Sequence, residues 1–270
     1  MTVSNKAMTL RDFLIHVIKI LVFGSFLLLV YCIMRLWILD LSEQDNRRVY
    51  SALQDEVTVM NPIEVIEQGT PYIPSTEILP EYSAIASEYP NFAGWISIYG
   101  TDLSLPVMQE DENDQNFYLS HDYQGNESEF GCLYIPYYGS YDSDNVIIYG
   151  HNMRHERMFG LLHRYQDPSF WEEHRLINYD TPYQHKVYEV FSVMIVSVND
   201  RHFRFQGFTD FSSPSQAHFY ISECVERSLF ETGVVPDDDA KLLTLITCEY
   251  TIPNGDGRLV VVARDVTNYG

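Results

Sequence analysis

Positive charge is what this sequence has least of. Seventeen Lys and Arg stand against 38 Asp and Glu in 270 residues, a formal net charge of −21. The imbalance is concentrated: from residue 40 onward there are 37 acidic and 13 basic side chains, whereas Asp12 is the one acid before that point. Such a surface repels phosphate backbones and excludes nucleic acid as a partner class. Its plain consequence is solubility, with a cationic partner as the alternative. Cysteine is sparse too. Of Cys32, Cys132, Cys224 and Cys248, the first lies in an apolar run. The remaining three cannot all pair within one chain, so at least one thiol is free and no disulfide framework holds the fold. There is no zinc-type CxxC or Cys/His spacing, no Gly-rich phosphate loop, no internal repeat and no low-complexity tract. His151 and His155 are four apart but follow a strand-like run instead of sitting in a helix. The acidic strings at 109–114 and 236–240 lack the glycine and spacing of a calcium loop. No metal and no cofactor are expected.

Apolar runs long enough to leave water are also missing, with one exception. Residues 20–34 carry no charge, Leu36 to Leu39 prolong the run past Arg35, and Phe13 to Ile18 precede Lys19. A membrane crossing takes about 20 residues, which is reached if Lys19 and Arg35 snorkel outward at either end. A cleaved signal peptide would need a small-x-small site after the run, and none follows; a buried core helix is the third reading. We expect a transmembrane anchor over 13–39. Lys6, Arg11 and Lys19 before it are matched by Arg35, Arg47 and Arg48 after it, so the charges leave its direction open. Residues 41–60 read as a polar, partly amphipathic helix, and Pro62, Pro71, Pro74 and Pro80 mark a linker, giving a membrane-proximal stretch over 40–90.

From Asn91 the pattern becomes short apolar runs divided by turn residues. Strands are expected over 94–98, 103–108, 131–135, 145–149, 187–197, 241–249 and 258–264, rich in β-branched and aromatic residues. This favours a β-barrel or sandwich over an α/β sheet. One late helix opens with Ser213 as N-cap and Pro214 at its first position. Ala217, Phe219, Tyr220, Cys224 and Val225 share a face, and Gly233 ends it.

Chemistry concentrates on the last two strands. Cys248 lies near the end of one and Arg258 opens the next. If residue 250 pairs with 258, then 248 pairs with 260, and Cys248 and Arg258 share a face roughly 7 Å apart along the strands; a one-residue slip would separate them. An arginine there favours the thiolate and can hold an oxyanion. His151, at the end of the run 145–149, is the candidate base, able to activate the thiol and protonate a leaving amine. Each residue also has a plain reading: Cys248 an inert buried thiol, His151 a polar strand cap, Arg258 a surface cation.

The strings VIIYGHNM (146–153) and LLTLITCEY (242–250), and the Arg-Leu-Val-Val-Val run from Arg258, resemble in order the His, Cys and Arg motifs of sortases. The segments 91–107, 117–122, 158–174 and 188–193, and the helix-bearing stretch 197–240, are similar to class B; the resemblance spans roughly 91–266. It implies a mainly β fold: an eight-stranded barrel with N-terminal helices, a helical insertion before the Cys strand and an N-terminal transmembrane helix. It further implies residues 1–12 in the cytoplasm and a catalytic domain 91–270 outside a Gram-positive-type cell membrane. The implied activity is that of a cysteine transpeptidase. Cys248 would cleave a sorting signal after Thr through a thioester, His151 would serve as acid and base, and Arg258 would hold the oxyanion. The implied partners are surface proteins or pilins bearing sorting signals and an amine from a peptidoglycan precursor or a pilin lysine. Leu119, Ile246, Thr247 and Glu249 are the implied peptide-contacting positions. Three departures stand out: Ile246 replaces a frequent Ser, Gln115 sits where a different polar residue is usual, and GCLYIPYY (131–138) replaces a small-and-acidic pattern, with Cys132 structural. The same trio would suit a thiol protease using water as acceptor, and a sortase-like barrel could serve as a non-enzymatic surface binding protein.

Overall fold

A computed structural model of the chain describes residues 10–54, 57, 60–68 and 77–267. The expected cytoplasmic N-terminus, up to residue 9, and the linker prolines Pro71 and Pro74 lie outside the described residues. The chain divides after Ala52 into two compact units.

Helix α1 (Leu10–Gln54) contains Phe13–Ile38, 26 residues of mean hydropathy 2.5, long and apolar enough to cross a membrane. The polar helix expected over 41–60 is not a separate element. No Gly or Pro interrupts residues 36–54, so nothing breaks the ladder and α1 runs on to Gln54.

The second unit is a closed barrel of β1 (Phe92–Ser97), β2 (Ser104–Gln109), β3 (Leu133–Ile135), β4 (Asn145–Tyr149), β5 (Leu176–Asp180), β6 (Val187–Ser197), β7 (Leu242–Glu249) and β8 (Gly257–Asp265), in the order β1-β2-β3-β4-β7-β8-β6-β5. The β2–β3 and β4–β7 pairs are parallel and the rest antiparallel. Seven strands fall where the sequence puts them. The eighth, β5, is five residues of mixed polarity, and it closes the barrel between β1 and β6.

The stretch read as a linker is partly docked. Helix α2 (Pro62–Gln68) sets Val65 against Val187 and Val266. Ahead of α3 (Ser83–Glu88), Tyr82 is buried and its hydroxyl donates to Asp180 at 2.7 Å. A short helix α4 (Pro168–Glu173) is capped by Asp167, whose carboxylate accepts from the Ser169 N–H at 2.9 Å.

Helix α5 (Pro214–Arg227) lies between β6 and β7 and starts as expected, the Ser213 hydroxyl oxygen accepting from the Gln216 N–H. It stops at Ser228, well short of Gly233, because the next residues are tied elsewhere: the Leu229 N–H donates to the Val193 carbonyl at 2.7 Å. Its buried face is Ala217, Tyr220, Ile221 and Cys224, while Phe219 and Val225 are exposed. That face packs with Phe203 and Phe205 over Leu242, Ile246, Val260 and Val262, forming a core on the outer side of the sheet. Burial pushes the Cys224 thiol far above its ordinary range, which makes it inert.

Candidate active site

The parallel register of β4 and β7 pairs Tyr149 with Ile246. The Gly150 N–H, donating to the Ile246 carbonyl at 3.1 Å, carries the ladder one residue further. Continued by two residues, the same offset sets His151 level with Cys248. On the other side, Cys248 pairs directly with Arg258, and not with residue 260 as the provisional hairpin register had it. A two-residue shift preserves the face, so the shared-face expectation survives the correction and the pair is closer. Three side chains thus form one row across three adjacent strands, which are spaced about 4.8 Å apart.

All three line one groove of about 450 Å3, together with Leu119, Ile246 and Thr247. Cys248 is half-buried. Ile246 is fully buried in the core under α5, so the groove meets the apolar edge of that core. The Thr247 hydroxyl donates to the Gly150 carbonyl at 2.8 Å, which ties β7 to the residue before His151. Glu249, the fourth implied peptide contact, does not line the groove. Its carboxylate accepts from the N–H and hydroxyl of Thr251. Burial pushes its pKa up, but those bonds outweigh it and hold the carboxyl below its ordinary range.

His151 is oriented by its neighbours. Its Nε2 lies 2.7 Å from the Leu119 carbonyl. A carbonyl only accepts, so Nε2 carries the proton and Nδ1 is left as the exchanging nitrogen. Two glycines make room. A Cβ on Gly150 would strike Leu133 and come within 2.7 Å of Phe159. Gly131 has φ +61°, and a Cβ there would run into the Tyr118 carbonyl and lie 3.2 Å from the His151 ring.

Arg258 is anchored through one nitrogen. Nη1 donates to the carbonyls of Gly255 (2.9 Å) and Gly257 (2.7 Å), and among the described residues Nε and Nη2 have no partner. The fixed fork of a guanidinium lets one nitrogen hold position while the others face the groove. Glu110 is the groove's buried carboxylate, and main-chain N–H groups satisfy it, those of Asn116 and, at 3.1 Å, Tyr137. Burial first, then the Glu110 charge, raises the Tyr134 pKa, so this lining phenol stays protonated.

One arrangement was not legible in the sequence. The Asn152 amide nitrogen lies 3.0 Å from the Cys248 carbonyl and 2.8 Å from His163 Nε2. His163 Nε2 is 3.2 Å from the same carbonyl, and its Nδ1 is 3.0 Å from the Gln166 amide. Asn152 has two hydrogens to give, one to the Cys248 carbonyl and one to His163 Nε2. The residue after His151 therefore holds the main chain of Cys248. The only sequence signal was adjacency to His151; His163 lies 85 residues from Cys248.

The sortase domain family matches residues 96–266. Sortase B of Staphylococcus aureus (strain NCTC 8325 / PS 47) is 26% identical over 259 residues, 95% of this chain and 98% of its own length. Sortase B of Listeria monocytogenes is 26% identical over 179 residues, 66% of this chain and 70% of its own. Among solved structures, a Staphylococcus aureus sortase B–substrate complex matches with a TM-score of 0.68 at 25% identity, covering 83% of this chain and 98% of that one. Sortase B from B. anthracis in complex with AAEK1 matches with a TM-score of 0.67 at 27% identity, covering 83% and 98%.

Proposed function

This chain belongs to the sortase family, to its class B, and is a sortase-type cysteine transpeptidase; from that premise we propose that Cys248 is its nucleophile, His151 its acid and base and Arg258 its oxyanion donor. Cys248 passes its thiol proton to His151 Nδ1 as its sulfur attacks the carbonyl carbon after Thr in a sorting signal, and negative charge moves to the carbonyl oxygen. The free Nε and Nη2 of Arg258 suit that oxygen, where such a donor contributes about 10²–10³ in rate. His151 Nδ1 gives a proton to the departing amine nitrogen, the C–N bond breaks and a thioester remains. An incoming amine then attacks, His151 Nδ1 takes its proton, the new amide forms as the C–S bond breaks, and His151 returns that proton to the leaving sulfur, regenerating the thiol. The donors on this reading are surface proteins or pilins bearing sorting signals, and the acceptor is a peptidoglycan-precursor amine or a pilin lysine. On this reading residues 1–12 lie inside the cell, 13–39 anchor the chain, 40–90 form the membrane-proximal stretch and 91–270 work outside; the apolar Phe13–Ile38 span supports the anchor, and the direction rests on the resemblance to the family.

The observation that carries the reading is the row of His151, Cys248 and Arg258 in one groove. The test is to incubate the full chain in detergent with Asn-Pro- and Leu-Pro-type signal peptides and weigh the protein. An acyl adduct on Cys248, released by an added amine and slowed in His151→Ala and Arg258→Ala, is the expected result. No adduct with any peptide, while the thiol still reacts with iodoacetamide, would sink the assignment of roles. Release by water alone, unaffected by amine, would make it a protease.

A further inference from the structure

The groove does not stop at its aromatic edge. Tyr138 and Gln206, which line it, also line an open cleft of about 680 Å3 whose wall is the segment running from β6 toward α5. That wall is built firmly. Phe203 and Phe205 are buried and pack around Tyr220, which leaves the alternate residues Arg204 and Gln206 on the cleft side. Asp200 also lines the cleft, but its charge is already committed. One carboxylate oxygen accepts from the N–H groups of His202 (2.8 Å) and Phe203 (3.2 Å), and the other accepts from Arg227 at 3.0 Å.

Arg201 and Arg204 remain. Both are exposed, both line the cleft, and neither guanidinium has a carboxylate or hydrogen-bond partner among the described residues. Six other cations of this unit, Arg164, Arg175, Lys186, Arg227, Lys241 and Arg264, each face an acid. In a chain with 37 acids against 13 bases beyond residue 39, two uncommitted guanidinium groups in one concavity make a local field of opposite sign. Guanidinium forks are suited to carboxylates.

We propose that this cleft extends the substrate site and takes a carboxylate-bearing flank of the donor peptide. The inference rests on the reading of the groove as the sorting-signal site. It commits to the donor because the cleft and groove share lining residues. An extended chain leaving the groove, at about 3.3 Å per residue, is handed directly past Tyr138 and Gln206.

The test uses fluorescent peptides with a single sorting-signal core and Glu, Ser or Lys triplets on one side or the other. Binding is read by anisotropy on the full Cys248→Ala chain in detergent, and acylation by mass on the chain with Cys248 intact. Glu-flanked peptide should bind roughly three- to tenfold more tightly than Ser-flanked on one side of the core, with the gain erased by high salt. Arg201→Gln with Arg204→Gln should bring the Glu/Ser ratio near one, and Arg201→Glu with Arg204→Glu should invert it in favour of Lys. A ratio near one in the unaltered arginine pair overturns the proposal, as does a ratio that neither double variant moves. An effect confined to the amine step, with carboxylate-bearing acceptors favoured and donor binding unchanged, overturns it as well. Binding reports on the cleft even if no peptide acylates Cys248, so failure of the catalytic roles and failure of the cleft give different results.

Discussion

Replacing Asn152 with Ala should slow acylation far more than it weakens the fold. The substitution removes two hydrogen bonds, to the Cys248 carbonyl at 3.0 Å and to His163 Nε2 at 2.8 Å. At about 1 kcal/mol net each, the stability loss is about 2 kcal/mol. His163 Nε2 already lies 3.2 Å from that carbonyl and can take over as donor by changing tautomer, which returns part of the loss. His163→Ala alone should cost about 1 kcal/mol, and the double variant, with no donor left for the Cys248 carbonyl, about 2 kcal/mol, less than the two singles summed because both lose the same Asn152–His163 bond. The catalytic effect is different in kind. Asn152 ties the main chain of the thiol to the residue following His151, and a displacement of about 1 Å at a reacting group costs about 10²-fold. Urea midpoints give the stability, acylation by a signal peptide gives the rate, and iodoacetamide reports the intrinsic reactivity of the thiol. Acylation should fall about 10- to 100-fold while alkylation changes by only a few-fold. Asn152→Asp, which sets a carboxylate against the carbonyl, should be at least as slow. The reasoning fails if Asn152→Ala loses about 2 kcal/mol yet acylates within twofold of the unmutated chain, for then the cluster only holds strands together.

Gly131→Ala should reduce acylation by displacing the His151 ring, and should cost at least about 1–2 kcal/mol, because φ is +61° and the new methyl meets the Tyr118 carbonyl; thermal melts and peptide acylation check both. Arg258→Lys keeps the charge but has one nitrogen where anchoring and oxyanion binding need separate ones, so kcat should fall about 10²–10³-fold with KM nearly unchanged. His185 lies 2.9 Å from Asp180, and that bond raises its pKa above the ordinary 6.5. A raised folded pKa gives stabilisation that is complete below about 6.5 and lost as pH rises through the folded value, so His185→Ala should flatten the dependence of the urea midpoint on pH above about 6.5.

The barrel was legible because its strands are bounded by turn residues and full of β-branched side chains, and the late helix because Ser213 and Pro214 announce it. The register was not. Leu259, Val260, Val261 and Val262 are all fully buried, as are Leu242, Leu243, Thr244, Leu245 and Ile246. With both faces covered there is no alternation to read, and a two-residue shift costs the pattern nothing. For the same reason the parallel partnership of β4 with β7 left no mark on either strand. It depends on the chain passing through β5, β6 and α5 before returning. Cys248, His151 and Arg258 could be singled out through their motifs, whereas Asn152, His163 and Gly131 carry no type signal of their own. Their parts come from what they touch.

The turn between β7 and β8 must then supply the register that the hydrophobic pattern does not, and Glu249 is the residue that does so. It pairs with Gly257, where a Cβ would strike the Glu249 carbonyl, so that pairing admits only glycine. Its carboxylate also takes the N–H and hydroxyl of Thr251, closing the first part of the turn from below. The next pair in the ladder is Cys248 with Arg258, so any slackening at Glu249 is felt first there. Glu249→Ala should therefore lower kcat for every peptide by a similar factor and leave KM almost constant, the signature of a lost transition-state contact. A residue that touched the sorting signal would behave differently, raising KM by an amount that depends on the peptide. Measuring kcat and KM with an Asn-Pro-type and a Leu-Pro-type signal separates the two. A peptide-dependent rise in KM would return Glu249 to the substrate site, and the groove wall would then have to move on binding.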